Sequence, residues 1–238
     1  MNNKQNNLLE KNKIIIKRWK KVEEKHKNHI NKILISKKYK LFKSRLLGFL
    51  SGDGSVYITN KKNNKHVNNN ISFYPDHKSM INPFIEAFEY LYIKKPTIKK
   101  LHNYYSVRIS SKFASLDLTE LSNLKTHTWE VPFSFLDSEE TKVEWLRAFF
   151  DCEASILQRK IQLQSVNIKG LSQIKTLLEN FGIESRIYKY ERENKNWNTN
   201  YILCIMKKES RKNFLDKIGF NHTLKLNKLK KQIYAGVP

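Results

Sequence analysis

Cysteine is nearly missing from this chain. Cys152 and Cys204 stand alone among 238 residues, with no CxxC pair, which excludes a disulfide framework and a zinc knuckle and fits a reducing intracellular compartment. Histidine offers no substitute: only His26 and His29 lie close together in sequence, without partners at zinc-site spacing, and both read as surface residues. Long apolar runs are also absent, which excludes a membrane span, and the opening MNNKQNNLLEKNK has no apolar core of a secretion signal. Acidic residues are scarce, 22 against 45 Lys and Arg, for a net charge of +23. Like charge on this scale opposes compaction and suits a polyanionic partner, nucleic acid before anionic membrane. A hydrophobic content of 39% is nonetheless enough to pack a core and excludes global disorder.

The charge is unevenly spread. Residues 1–40 hold 13 Lys and Arg against 3 acidic residues. Within them Ile15, Trp19, Val22, Ile30 and Ile33 recur at roughly helical spacing, predicting basic amphipathic helices lying along phosphates. Removing this segment is expected to weaken binding more than it destabilises the core. From Ser44 onward the chain repeats itself: LLGFLSGDGS at 46–55 returns as LRAFFDCEAS at 146–155.

Each copy is followed by the same series. A strand segment comes first (VYITN then ISFY; ILQRKIQLQ, read as one segment). An amphipathic helix follows, striped by Met80, Ile81, Phe84, Ile85, Phe88 and Leu91 or by Leu171, Ile174, Leu177, Leu178 and Phe181. Pro83 sits awkwardly inside the first of these and is expected to kink it. A hairpin, a short helix and a lysine complete each half; Lys125 and Lys225 each stand 72 residues after Asp53 or Glu153. The expected fold class is α+β, two pseudo-symmetric αββαββα repeats. Residues 1–43 read as a basic helical extension, 44–125 as the first repeat, 126–143 as a linker with Ser138 or Asp137 as an N-cap, and 144–238 as the second repeat with a basic C-terminal segment.

Gly48 and Gly52, and Ala148 and Cys152, place small residues at i and i+4 on one helix face, where two helices can approach closely. Such a pair sets Asp53 beside Glu153 at adjoining C-terminal ends. Two carboxylates, two negative dipole ends and the carbonyls of Gly52 and Cys152 form an all-oxygen pocket for a hard divalent cation, Mg²⁺ above all. Ions so held serve phosphodiester hydrolysis, with Lys125 and Lys225 as candidates to stabilise transition-state charge.

These motifs, with VPFSF before the second, LLENFGI within it and FLDKIGFNHTLK near the end, make residues 44–230 resemble the LAGLIDADG homing endonuclease family in its monomeric two-motif form. The resemblance implies motif helices at a pseudo-twofold interface and saddle-shaped antiparallel sheets lying along the DNA major groove. It also implies Asp53 and Glu153, the eighth residue of each motif, as metal-binding catalytic carboxylates.

The implied activity is Mg²⁺-dependent cutting of a long, poorly symmetric double-stranded site to leave short 3′ overhangs, with Mn²⁺ a substitute and Ca²⁺ supporting binding only. Strand alternation on that fold turns Ser55, Tyr57, Thr59, Ser72, Tyr74, Tyr104, Ser106 and Arg108 toward DNA in the first repeat. In the second it turns Lys160, Gln162, Gln164, Arg186, Tyr188 and Tyr190. Ser51 departs from the usual acidic sixth position, and Ala148 and Ala154 replace glycines. With no splicing Cys or Ser at residue 1 and no terminal His-Asn, a free-standing, intron-encoded protein is expected rather than an intein. An RNA maturase acting on its host intron is the alternative.

Overall fold

The computed structural model describes residues 24–58, 69–125, 127–190 and 198–234. Helix α1 (Glu24–Ile33) is followed by α2 (Lys37–Ser51), which begins seven residues before the expected start of the repeat. Ser36 starts it by accepting from the Tyr39 amide, and Gly52 ends it by donating back to the Gly48 carbonyl. The rest of the first repeat runs β1 (Gly54–Ile58), β2 (Asn69–Phe73), a 3₁₀ turn (Lys78–Met80), α3 (Ile81–Tyr92), β3 (Thr97–Lys100), β4 (Tyr105–Ser110) and α4 (Lys112–Leu121).

The second repeat runs α5 (Glu139–Glu153), β5 (Ser155–Leu157), β6 (Lys160–Ser165), α6 (Ile168–Glu179), β7 (Arg186–Tyr190), β8 (Asn200–Ile205), α7 (Lys208–Lys217) and α8 (Thr223–Tyr234). Helix α5 starts inside the expected linker, where Ser138 and Thr141 form a capping box.

Three local expectations are corrected. Pro83 does not kink α3: it is the third residue of the helix, in the first turn, where a backbone N–H has no intrahelical partner to lose. ILQRKIQLQ is a tight hairpin, β5 and β6 joined at Gln158–Arg159, with Arg159 in the left-handed region at φ 59°. No Gly or Asn announces that turn. His29 is half-buried and packed where a free surface residue is expected; its Nε2 lies 2.6 Å from the Tyr90 carbonyl and its ring meets Tyr90 edge-on.

The strands form two antiparallel sheets of identical connectivity, β1-β2-β4-β3 and β5-β6-β8-β7. One face of each is apolar. Val56, Ile71 and Ile109 align across the first sheet with Phe73 and Val107 beside them; Ile156, Ile161 and Ile205 align across the second with Leu163 and Leu203. Helices α3 and α6 bury their predicted stripes against these faces, Ile85 only partly. Ile30 and Ile33 of α1 join the same core, so part of the basic N-terminal segment is packed. Ile15, Trp19 and Val22 lie outside the described residues.

The halves are stitched reciprocally. After α4, the Trp129 carbonyl accepts from Asn167 at the head of α6, and the Val131 amide donates to Gln173. After α7, the Thr223 amide donates to Ser79 and the His222 ring stacks on His77, at the head of α3.

Candidate functional site

Helices α2 and α5 meet along the small residues. A Cβ added at Gly48 would stand 2.4 Å from the Trp145 carbonyl oxygen and 2.9 Å from the Ala148 Cβ. At Gly52 it would stand 2.5 Å from the Cys152 Cβ and 3.6 Å from the Glu153 Cγ. The approach therefore requires glycine at both positions, and it carries Asp53 and Glu153 to one place at the helix ends. Arg45 and Arg147 flank the crossing with ion pairs to Glu144 at 2.6 and 2.7 Å.

Both carboxyls titrate high. Burial, reinforced by the Asp53 charge, pushes Glu153 up to about 7, with Lys225 opposing. Burial also raises Asp53, with Asp76 adding to the rise and Lys225 and a hydrogen bond with Cys152 opposing it. The pair gives up its protons in two steps, and it is short of positive charge. An all-oxygen donor set with unmet negative charge fits a hard divalent cation. Among the described residues no group of three or more His, Cys, Asp or Glu is placed to hold a metal; the acidic side chains that converge at the helix ends are these two.

The lysines are not equivalent. Lys225, in the first turn of α8, reaches back to the carbonyls of Asp151 (2.5 Å) and Cys152 (3.0 Å), and its charge acts on both carboxylates. The Cys152 carbonyl, expected among the donors to a cation, accepts from this ammonium. Lys125 is exposed in the coil after α4, its amide on Asn123, and the expected symmetry of the two lysines is not found. The reason is that, among the described residues, the first repeat has no counterpart of α8.

Several residues near the carboxylates escape the sequence reading. Asp151, fully buried and raised to about 6 by burial, accepts from the Asn221 side chain and the His222 amide, both at 2.9 Å. It fixes the turn that delivers Lys225. Its counterpart Ser51 is buried, with no hydrogen-bond partner for its hydroxyl among the described residues. Asp76 pairs with His222 at 3.3 Å. The motif alignment marks Asp151 against Ser51; the His77, His222 and Asp76 cluster carries no sequence signal, because its members come from different repeats.

Away from the core, pairing register gathers most of the predicted polar residues on the open face of each sheet. Ser55, Ser72, Arg108 and Thr97 align across the first, with Tyr57 opposite Asn70 and Ser106 opposite Lys99. Tyr74 and Tyr104 meet edge-to-face at 6.1 Å. Ser155, Gln162, Cys204 and Arg186 align across the second, followed by Gln164, Ile202 and Tyr188, with Tyr190 opposite Asn200 and Lys160 opposite Leu157. Ser72 and Ser106 share the open face but are sunk into it, 7% and 3% exposed; short side chains on inner strands do not reach past their neighbours. Thr59 lies outside the described residues. Thr97, Lys99 and Asn70 lie on the same open face, beyond the residues that strand alternation predicts there.

Comparison with known proteins agrees with this geometry. Residues 140–219 match the LAGLIDADG-like domain family. The chain is 28% identical over 193 residues to a glutamine–fructose-6-phosphate aminotransferase (isomerizing) of Methanocaldococcus jannaschii, covering 78% of this chain and 17% of that protein. It is 28% identical over 188 residues to a replication factor C small subunit of the same archaeon, covering 77% of this chain and 10% of that one. It thus spans less than a fifth of the length of either of these relatives. Among solved structures, the homing endonuclease I-DmoI in complex with DNA and Mn superposes with a TM-score of 0.61 at 18% identity, over 76% of this chain and 97% of that one. Full-length DUF199/WhiA from Thermatoga maritima superposes at 0.51 and 15% identity, over 83% and 62%.

Proposed function

We propose, for a chain that carries a LAGLIDADG-like domain over residues 140–219 in the two-repeat LAGLIDADG fold, site-specific cleavage of double-stranded DNA with the help of a divalent cation. The observation that carries this reading is the pairing of Asp53 with Glu153 at adjoining helix ends, beside two sheets whose open faces carry polar and basic side chains. That I-DmoI is solved with DNA and Mn, and in other forms with Mg or Ca, supports it.

Asp53 and Glu153 would hold the cation, with the Gly52 carbonyl as backbone donor. Mg²⁺ is the ion proposed, Mn²⁺ a substitute, and Ca²⁺ a support for binding without cleavage. When bound, the cation supplies water activation and charge neutralisation at the phosphodiester. The chain's own residues do the rest. Lys225, clamped on two carbonyls, adds positive charge where the phosphate arrives, and Asp151 holds the turn that carries it. The open faces grip the duplex, and because their residues differ the target is long and asymmetric. One chain supplies both carboxylates, so a monomer suffices. Short 3′ overhangs and an intron-borne coding sequence complete the proposal.

The test is incubation of the full chain with Mg²⁺, Mn²⁺ or Ca²⁺ and a plasmid library of random and host-genome sequence, followed by sequencing of any ends produced. Asp53→Asn or Glu153→Gln is expected to abolish cutting while duplex binding persists. Normal-rate cleavage by either variant rules out the assignment, and retention of structured RNA over duplex DNA favours the maturase alternative.

A further inference from the structure

The open faces of the two sheets differ along one inner strand. Ser55 and Ser155 are equivalent by motif position, and register carries each across its sheet through Ser72 to Arg108 and through Gln162 to Cys204. Where β4 presents Ser106, Arg108 and Ser110, β8 therefore presents Ile202, Cys204 and, just past its end, Met206. Cys204 is recessed, 4% exposed; Ile202 is partly exposed and Met206 is 41% exposed. The Tyr188 hydroxyl lies 4.0 Å from the Met206 sulfur, which sets the two side chains on the same face.

A duplex major groove offers such side chains one distinctive apolar feature, the thymine C5 methyl. Against other base edges they bury donors and acceptors unpaired. The register partners of Ile202 and Cys204 are Gln164 and Gln162, and glutamine pairs bidentately with adenine. A single A·T pair thus suits both neighbours, the amide on adenine and the aliphatic group on the opposing thymine methyl. Lys160 and Arg186, on either side, bring positive charge for the backbone.

We propose that the second repeat reads an A·T-rich half-site through thymine-methyl contacts to Ile202 and Met206, whereas the first repeat, with Arg108 on the inner strand where the second has Cys204 and keeps its arginine, Arg186, on the edge strand, reads its half-site by hydrogen bonds, guanine included. The inference rests on the duplex-binding reading above and adds the chemistry of the ligand.

The test selects binding sites from a random-sequence duplex pool with the full chain in Ca²⁺. The half contacted by the second repeat is assigned as the one less protected in Arg186→Ala. Each half of the recovered site is then remade with deoxyuridine for thymidine. Affinity is expected to fall about fourfold per methyl lost in the half facing the second repeat, with little change in the other. Ile202→Ser is expected to erase that sensitivity at the base pair it faces while leaving that of Met206; if it lowers the thermal midpoint, Met206→Gln at the exposed strand end gives the same readout at its own base pair. Equal affinity for thymine and uracil forms, or a G·C-rich second half-site, overturns the proposal while leaving duplex binding standing. Failure to retain any duplex overturns both.

Discussion

A glutamate held near neutrality makes the metal-free protein sensitive to pH. Glu153 titrates at about 7 in the fold against an ordinary 4.5, so between those values the folded state binds more protons than the unfolded one. Stability therefore falls as pH rises through that window. Glu153→Gln removes the penalty and is expected to stabilise the metal-free protein at pH 8 by roughly 1–3 kcal/mol while doing little at pH 4. Urea unfolding in chelator at both pH values measures it, and an unchanged midpoint at pH 8 contradicts the burial and repulsion invoked here. Lys43 offers a contrasting case. Its buried ammonium lies 2.7 Å from Asp117 and 2.8 Å from the Tyr39 hydroxyl. Asp117→Ala strands that charge and is expected to cost about 3–5 kcal/mol, read as a lowered thermal midpoint that Lys43→Met on the same background partly restores.

At the scale of elements, the motif helices are the part most legible in the sequence. Their small faces, their caps and their terminal carboxylates are all local, and duplication presents each twice. What is less legible depends on distance along the chain. The β5–β6 hairpin turns without the residues that mark turns, and Lys225 is placed by Asp151, 74 residues away, as much as by its own helix. The N-terminal segment shows the cost of reading charge before packing. Deleting residues 1–40 takes Ile30, Ile33 and Tyr39 from the core and the first turn from α2. The thermal transition is therefore expected to collapse, by several kcal/mol at about 1.5–3 per buried side chain. A truncation of residues 1–23 with an unchanged midpoint would locate the packing where it is described.

For the whole molecule, the governing quantity is +23 of net charge around one small negative notch. Duplex affinity is expected to decline steeply with salt, with a log–log slope of about −0.9 per phosphate contact; a flat response contradicts charge-led binding. The lysine asymmetry also shows at this scale. Lys225→Met is expected to slow cleavage markedly and Lys125→Met far less, checked by strand-resolved single-turnover rates.

The contact at Gly48 and Gly52 has one more consequence. At Gly48 the facing atom is the Trp145 backbone carbonyl and at Gly52 it is the Cβ of Cys152, neither of which a rotamer change can move, so the offset between the two helix tips is a nearly fixed dimension of the chain. Residues on the sheets can therefore change without disturbing that offset, and on the proposed reading recognition is free to evolve while the two carboxylates keep their spacing.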